Sequence, residues 1–207
     1  EADVRSRRFP VETRSMSAHR AFQVAKRRDG KIGRALIKPE NADQVIDALP
    51  VEDGGALHAL VSGDFVFCHL VTRIVDRFGP PTILTLATLS VSMKNLESLE
   101  AMLRACPEMR LHIVLSHYFQ TTNKDIFIAL ETLISEKFPD RFTLTIGRSH
   151  AKVALFDWGS RCLVIETSAN LRSSNNLEQL AAFRDRELFE FHAAWIREFR
   201  EAALNPK

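Results

Sequence analysis

The sequence predicts a layered α/β protein, and three observations carry that prediction. Residues 82–147 alternate between β-branched apolar runs and runs with helical spacing, in the order β-α-β-α-β. Two further apolar runs follow as a hairpin, and from about Asn176 to Leu204 the pattern turns helical. Hydrophobic residues make up 45% of the chain and charged residues 26%, a balance that can bury a core.

The elements follow in order. Residues 1–31 are polar, basic and weakly periodic, and read as an arm with local helix around His19–Arg28. A domain over residues 32–207 then begins with a strand, Ile32–Lys38. Pro39 and Asn41 open a short helix, Ala42–Leu49, which Pro50 stops. Ser62-Gly63-Asp64 offers an N-cap for the next helix, in which Phe65, Cys68, Val71, Ile74, Val75 and Phe78 share one face. Gly79-Pro80-Pro81 ends it. Thr82–Leu89 is a buried strand, Lys94–Cys106 an amphipathic helix and Arg110–Phe119 a second strand. Asn123 and Asp125 cap a helix through Phe138, and "RFTLTIG", "AKVALFD" and "CLVIET" are three more strands. The sheet is expected to be mixed and mostly parallel, flanked by helices, with a long C-terminal helix. Leu177, Leu180, Ala181, Leu188, Phe191 and Trp195 are its core candidates in the C-terminal stretch.

The net charge of +2 hides an asymmetry. Residues 1–40 hold eleven Lys/Arg against five Asp/Glu, so the arm is basic and the body mildly acidic. A basic arm suits nucleic acid or another anionic surface, and equally suits a solvated tail. No apolar stretch approaches the roughly 20 residues that span a bilayer. The first twenty residues lack the apolar run of a secretory signal. Cys68, Cys106 and Cys162 are widely spaced and lack zinc-ligand spacing, which suits reduced thiols. Together these features lead to the expectation of a cytoplasmic protein without stable membrane insertion.

The stretch "HAKVALFDWGSRCLVIETSANL", His150–Leu171, carries the chemistry. His150 and Lys152 are two apart, so on a strand they share a face, as do Ser168 and Asn170. An imidazole that attacks or protonates, a fixed positive charge and two hydrogen-bond donors are what a tetrahedral phosphate needs. His-x-Lys alone is commonplace on a strand edge. The joined string is specific: His150-x-Lys152, four residues, then Asp157, with Ser168 and Asn170 in "TSAN" and Asn176 and Glu178 in "NNLEQ". It resembles the HKD motif of the phospholipase D superfamily, over residues from about 40 to 205. Thr167 stands where that family usually has Gly, and the Asp157-to-Ser168 spacing is somewhat long.

The resemblance implies a phospholipase D-like fold and a phosphodiesterase working through a phosphohistidine. His150, Lys152, Asp157 and Glu178 are then the catalytic candidates, with Asp157 in a supporting role and Glu178 orienting the imidazole. Ser168, Asn170 and Asn176 would bind the phosphate, and His117 and Ser90 are candidates to line the groove. Neither metal nor cofactor is implied. The family builds its site from two HKD motifs and this chain has one, so the resemblance implies a homodimer with the site on its two-fold axis. The basic arm and the short single-motif chain favour nucleic acid as substrate. A phospholipid hydrolase and a catalytically silent phosphate- or DNA-binding protein are the alternatives.

Overall fold

The computed structural model describes residues 24–28, 31–35, 42–61, 65–174 and 176–204. Strands β1 (Val24–Arg28) and β2 (Lys31–Ala35) come first, then helix α1 (Ala42–Ala48) and strand β3 (Ala56–Val61). The short β4 (Phe65–Val66) runs into α2 (Phe67–Phe78). The alternating region follows: β5 (Ile83–Thr88), α3 (Met93–Ala105), β6 (Arg110–Ser116), α4 (His117–Thr122), α5 (Lys124–Thr132) with a π-turn over Leu133–Lys137, and β7 (Phe142–Gly147). The chain closes with β8 (Val153–Asp157), β9 (Cys162–Thr167), the short β10 (Ser173–Ser174), β11 (Glu178–Phe183) and α6 (Arg186–Leu204).

Nine of these strands form one sheet in the order β2-β1-β3-β11-β9-β8-β5-β6-β7. The sheet is mixed, as expected, but its parallel part is confined to β5, β6 and β7. The other pairings are antiparallel. The reason lies in the connections. A parallel neighbour needs a crossover, and among strands adjacent in the sheet only β5 to β6 and β6 to β7 are joined through helices. No helix lies between β7 and β8, so β8 returns antiparallel beside β5 and turns directly into β9.

Side chains alternate across the central strands and bury two cores. Leu84, Leu86, Leu111, Ile113, Leu115, Ala154, Phe156, Leu163 and Ile165 face the larger core, with α1, α2, α3 and α5. Val114, Val153, Leu155, Cys162 and Val164 face the smaller one, closed by Phe189 and Ile196 of α6. Gly147 makes room for α6 as well, since a Cβ there would come within 2.4 Å of the Phe199 ring. At the hairpin turn Gly159 has φ of 80°, left-handed backbone that favours glycine. Trp158 packs over that turn, stacked on Phe156 at 5.7 Å and donating its indole N–H to the Gly79 carbonyl.

Several local expectations give way to tertiary context. Val24–Arg28 is a strand between β2 and β3, not the end of a local helix, so the sheet takes in residues on both sides of position 31. The proposed cap Ser62-Gly63-Asp64 lies outside the described residues. Helix α2 starts only at Phe67, because Phe65–Val66 pairs with Ser173–Ser174. The β6 strand stops at Ser116, whose hydroxyl accepts the Tyr118 N–H and starts α4. Glu178–Phe183 is a strand, not helix, since it fills the gap between β3 and β9. Leu180 and Ala181 are buried there, whereas Leu177 and Phe191 are exposed.

Cys68 and Cys162 are buried, Cys106 is half-buried, and all three are free thiols. Burial pushes the Cys68 thiol up to about 12. Among the described residues no helix is long and apolar enough to cross a membrane.

Candidate active site

The C-terminal ends of β5 and β6 meet the N-terminal end of β8 and the C-terminal end of β9 at one edge of the sheet. Open α/β sheets place their sites at that edge. The link between β7 and β8, residues 148–152, must pass the ends of β6 and β5 to reach β8, because those two strands lie between. His150 and Lys152 therefore sit on a crossing segment rather than on a strand. Ser149 shapes it, its N–H donating to the Gly147 carbonyl and its hydroxyl accepting the Ala151 N–H.

His150 is exposed and Lys152 half-buried. The Lys152 ammonium donates to His150 Nδ1 at 3.2 Å and to the His150 carbonyl at 2.9 Å. An ammonium has donors only, so in this arrangement Nδ1 accepts and the ring proton sits on Nε2. Burial lowers the Lys152 pKa, and the nearby Glu178 carboxylate opposes that shift. The Thr167 N–H donates to the Lys152 carbonyl at 3.1 Å, which brings the end of β9 against the crossing segment.

Ser168 and Glu178 meet directly, the Ser168 hydroxyl donating to Glu178 Oε2. The same hydroxyl accepts the Gln179 N–H at 2.9 Å. Thr167 uses its hydroxyl twice in this turn, donating to the Gln179 carbonyl at 2.7 Å and accepting the Ala169 N–H at 3.1 Å. The threonine in the usual glycine position is thus built into the turn that carries Ser168. Behind it lies a buried polar clamp. Asn170 Oδ1 accepts the Leu89 N–H at 3.2 Å, and the Thr88 hydroxyl links the Ser90 carbonyl to the Leu171 N–H.

The structure thus brings His150, Lys152, Ser168, Asn170 and Glu178 to one edge. Asn176 is exposed two residues before Glu178, and His117 is exposed where β6 ends. Ser90 is buried, so it stands behind the groove rather than lining it. Asp157 lies apart, at the far end of β8 opposite Ile83. There its carboxylate accepts the Gly159 N–H at 2.9 Å and faces Arg186 at 3.7 Å, holding the hairpin turn and the start of α6. Among the described residues no group of three or more His, Cys, Asp or Glu is placed to hold a metal ion.

Two features were not singled out from the sequence. Arg148 and Arg172 are exposed at this edge and make no hydrogen bond or ion pair among the described residues. Their separation of 24 positions hides the pairing from any sequence window. On the α6 side, the buried His192 joins Glu166 at 2.8 Å and accepts the Trp195 indole N–H at 2.9 Å. The i, i+3 spacing of His192 and Trp195 is the one sequence signal for that contact.

The fold is a layered α/β one, a mixed sheet flanked by helices. The fold is similar to that of a polyphosphate kinase from Porphyromonas gingivalis, with a TM-score of 0.54 at 10% identity, covering 79% of this chain and 29% of that one. Weaker likenesses, both at a TM-score of 0.48, are to TrmBL2, an archaeal chromatin protein, and to a phosphatidylserine synthase from Haemophilus influenzae Rd KW20. Their identities are 12% and 14%, covering 79% and 78% of this chain and 59% and 41% of theirs. The chain spans less than two thirds of the length of each. No family model matches the sequence, and no curated protein matches it.

Proposed function

We propose that this protein is a phosphodiesterase of the phospholipase D superfamily that hydrolyses nucleic-acid phosphodiester bonds at a homodimer active site. The observation that carries the reading is the convergence of His150 and Lys152 with the Ser168–Glu178 pair at one sheet edge. Among the described residues one chain supplies a single attacking imidazole and no second histidine in an equivalent setting. A copy related by a two-fold axis would supply the other.

The chemistry divides between the two histidines. His150 Nε2 attacks phosphorus, the bond to the leaving oxygen breaks, and the His150 of the partner subunit gives that oxygen a proton. Water then attacks phosphorus, yields its proton to the partner's imidazole, and the phosphorus–nitrogen bond breaks. Attack needs a free lone pair on Nε2, whereas the resting contact to Lys152 favours the proton there. A bound phosphate would draw the Lys152 ammonium to its own oxygens and release Nδ1 to carry the proton. Glu178 is the nearby carboxylate suited to accept a hydrogen bond from it; Asn170 would donate to a phosphoryl oxygen, and Ser168 would do so once its hydroxyl turns away from Glu178. Asp157 serves by holding the hairpin.

The test is hydrolysis of bis-p-nitrophenyl phosphate in the presence of EDTA. Wild-type turnover that His150→Ala abolishes, together with a trapped phosphohistidine at position 150, is the expected result. A wild-type dimer with no turnover on DNA, RNA or lipid diesters would overturn the reading in favour of a silent phosphate-binding protein.

A further inference from the structure

The edge that carries His150 differs in charge from the opposite edge of the same sheet. Among the described residues, the segments at the His150 edge, 89–94, 117–125, 148–152, 168–174 and 176–178, hold five Lys/Arg and two Asp/Glu. The loops at the opposite edge, residues 52–55, 106–110, 138–141, 157–161 and 184–186, hold five Lys/Arg and six Asp/Glu. Four of the five basic residues there are engaged: Arg141 on backbone carbonyls, Arg161 on the Phe78 carbonyl, Arg184 on Asp53 and Arg186 on Asp157. Arg148 and Arg172 are exposed and have no such partner among the described residues. Unneutralised guanidinium groups at one edge suit a polyanion that extends beyond a single phosphate.

The same edge carries an aromatic ring. Tyr118 is the sole tyrosine of the chain and 67% of it is exposed, although the next residue, Phe119, is buried. Its hydroxyl makes no hydrogen bond among the described residues. It follows directly on β6, and β6 lies two places from β8 in the sheet. Two strand spacings are about 10 Å, which puts the ring a nucleotide or so from a phosphate held at Lys152. A solvent-exposed ring beside cations is the combination that holds unpaired bases, because stacking needs a free base face and the backbone needs positive charge.

We propose that Tyr118, Arg148 and Arg172 form a lip that binds single-stranded nucleic acid across the His150 edge, with a base stacked on Tyr118. The proposal rests on the phosphodiesterase reading for its substrate class and narrows that class to single strands. In a duplex, stacking between neighbouring base pairs covers the face that Tyr118 needs, so duplex binds through its backbone alone.

Binding is measured on the full chain by fluorescence anisotropy, with labelled oligo-dT, an abasic strand of the same length and a duplex. The basic arm contributes to all three and cancels from their ratios. The wild type is expected to favour oligo-dT over the abasic strand by roughly tenfold, the effect of one stacked base. Tyr118→Ala should bring that ratio close to one and Tyr118→Phe should keep it. Arg148→Ala with Arg172→Ala should lower the salt slope by about 1.4, roughly 0.7 per lost contact on a single strand. Equal wild-type binding of oligo-dT and the abasic strand overturns the proposal. So does a ratio unmoved by Tyr118→Ala, or binding to anionic vesicles with none to oligonucleotides. Diester hydrolysis is scored separately: its absence alongside Tyr118-dependent oligo-dT binding sinks the chemistry and supports the lip.

Discussion

Replacing Lys152 by methionine removes one positive charge from the candidate site and little volume. Its ammonium lies against His150 Nδ1 and the His150 carbonyl, half-buried and close enough to Glu178 to feel its charge. A unit charge about 4 Å from a phosphoryl oxygen is worth ~4 kcal/mol at the effective dielectric of a protein surface. Removing one preorganised donor from a developing oxyanion costs about 2.7–4 kcal/mol, or 10²–10³ in rate. Lys152→Met is therefore expected to lower kcat on bis-p-nitrophenyl phosphate by roughly 10²–10³. The pH profile gives an independent sign. Burial lowers the Lys152 pKa, so the charged form is lost at lower pH than for an ordinary lysine. Activity should decline as pH rises through that lowered value, and Lys152→Arg should move the decline to higher pH. Urea unfolding is the control: burial disfavours the charge, so the methionine variant should be at least as stable as wild type. A Lys152→Met rate within threefold of wild type would refute the electrostatic argument.

Two further predictions concern the frame. Arg141 donates to the carbonyls of Leu103, Cys106 and Met109 and lies over the Phe138 ring, tying the end of α3 to β6 and β7. Arg141→Ala should cost about 3 kcal/mol in urea unfolding, since charged donors contribute ~1.5–3 kcal/mol each and are not additive; a loss below about 1 kcal/mol would contradict it. His112 bonds Thr145 at 2.9 Å, and burial, with the Arg200 charge adding to it, lowers its pKa to about 4. The unfolded chain takes up this proton below about pH 6.5 and the folded chain only near 4. Stability is thus full above 6.5 and falls as pH drops toward 4, by up to about 3 kcal/mol. His112→Gln should flatten that slope in thermal unfolding measured across the window, and an unchanged slope would rule out His112 as its source.

The parts of the fold that local pattern decides were legible. The β5–α3–β6 alternation, the α2 face of Cys68, Val71, Ile74 and Val75, and the hairpin all follow from periodicity and turn residues. The parts that long-range pairing decides were not. "EQLAAF" has helix-forming residues, yet it is β11, because β3 offers it partners over its whole length and β9 over Leu180–Phe183. Val24–Arg28 is a strand for the same reason. The site divides along the same line. The string from His150 to Glu178 named the groups, and the contacts of Ser168 with Glu178 and Lys152 with His150 join residues it had already singled out. Arg148, Tyr118 and Arg172 fall at one edge only through the order of the strands.

That strand order also sets a timetable for folding. β3 has two neighbours, β1 with only β2 and α1 between them in the chain, and β11 more than a hundred residues later. The three N-terminal strands therefore join the rest of the sheet only when the last strand arrives. Pairings of such separation fold slowly, because loop closure precedes any gain from the contact. Until β11 docks, Leu57, Ala59 and Val61 on one side and Ile165 on the other lack the strand that lies between them. Ser168 and Glu178 meet through that same strand, so completion of the sheet and assembly of the candidate site are one kinetic event.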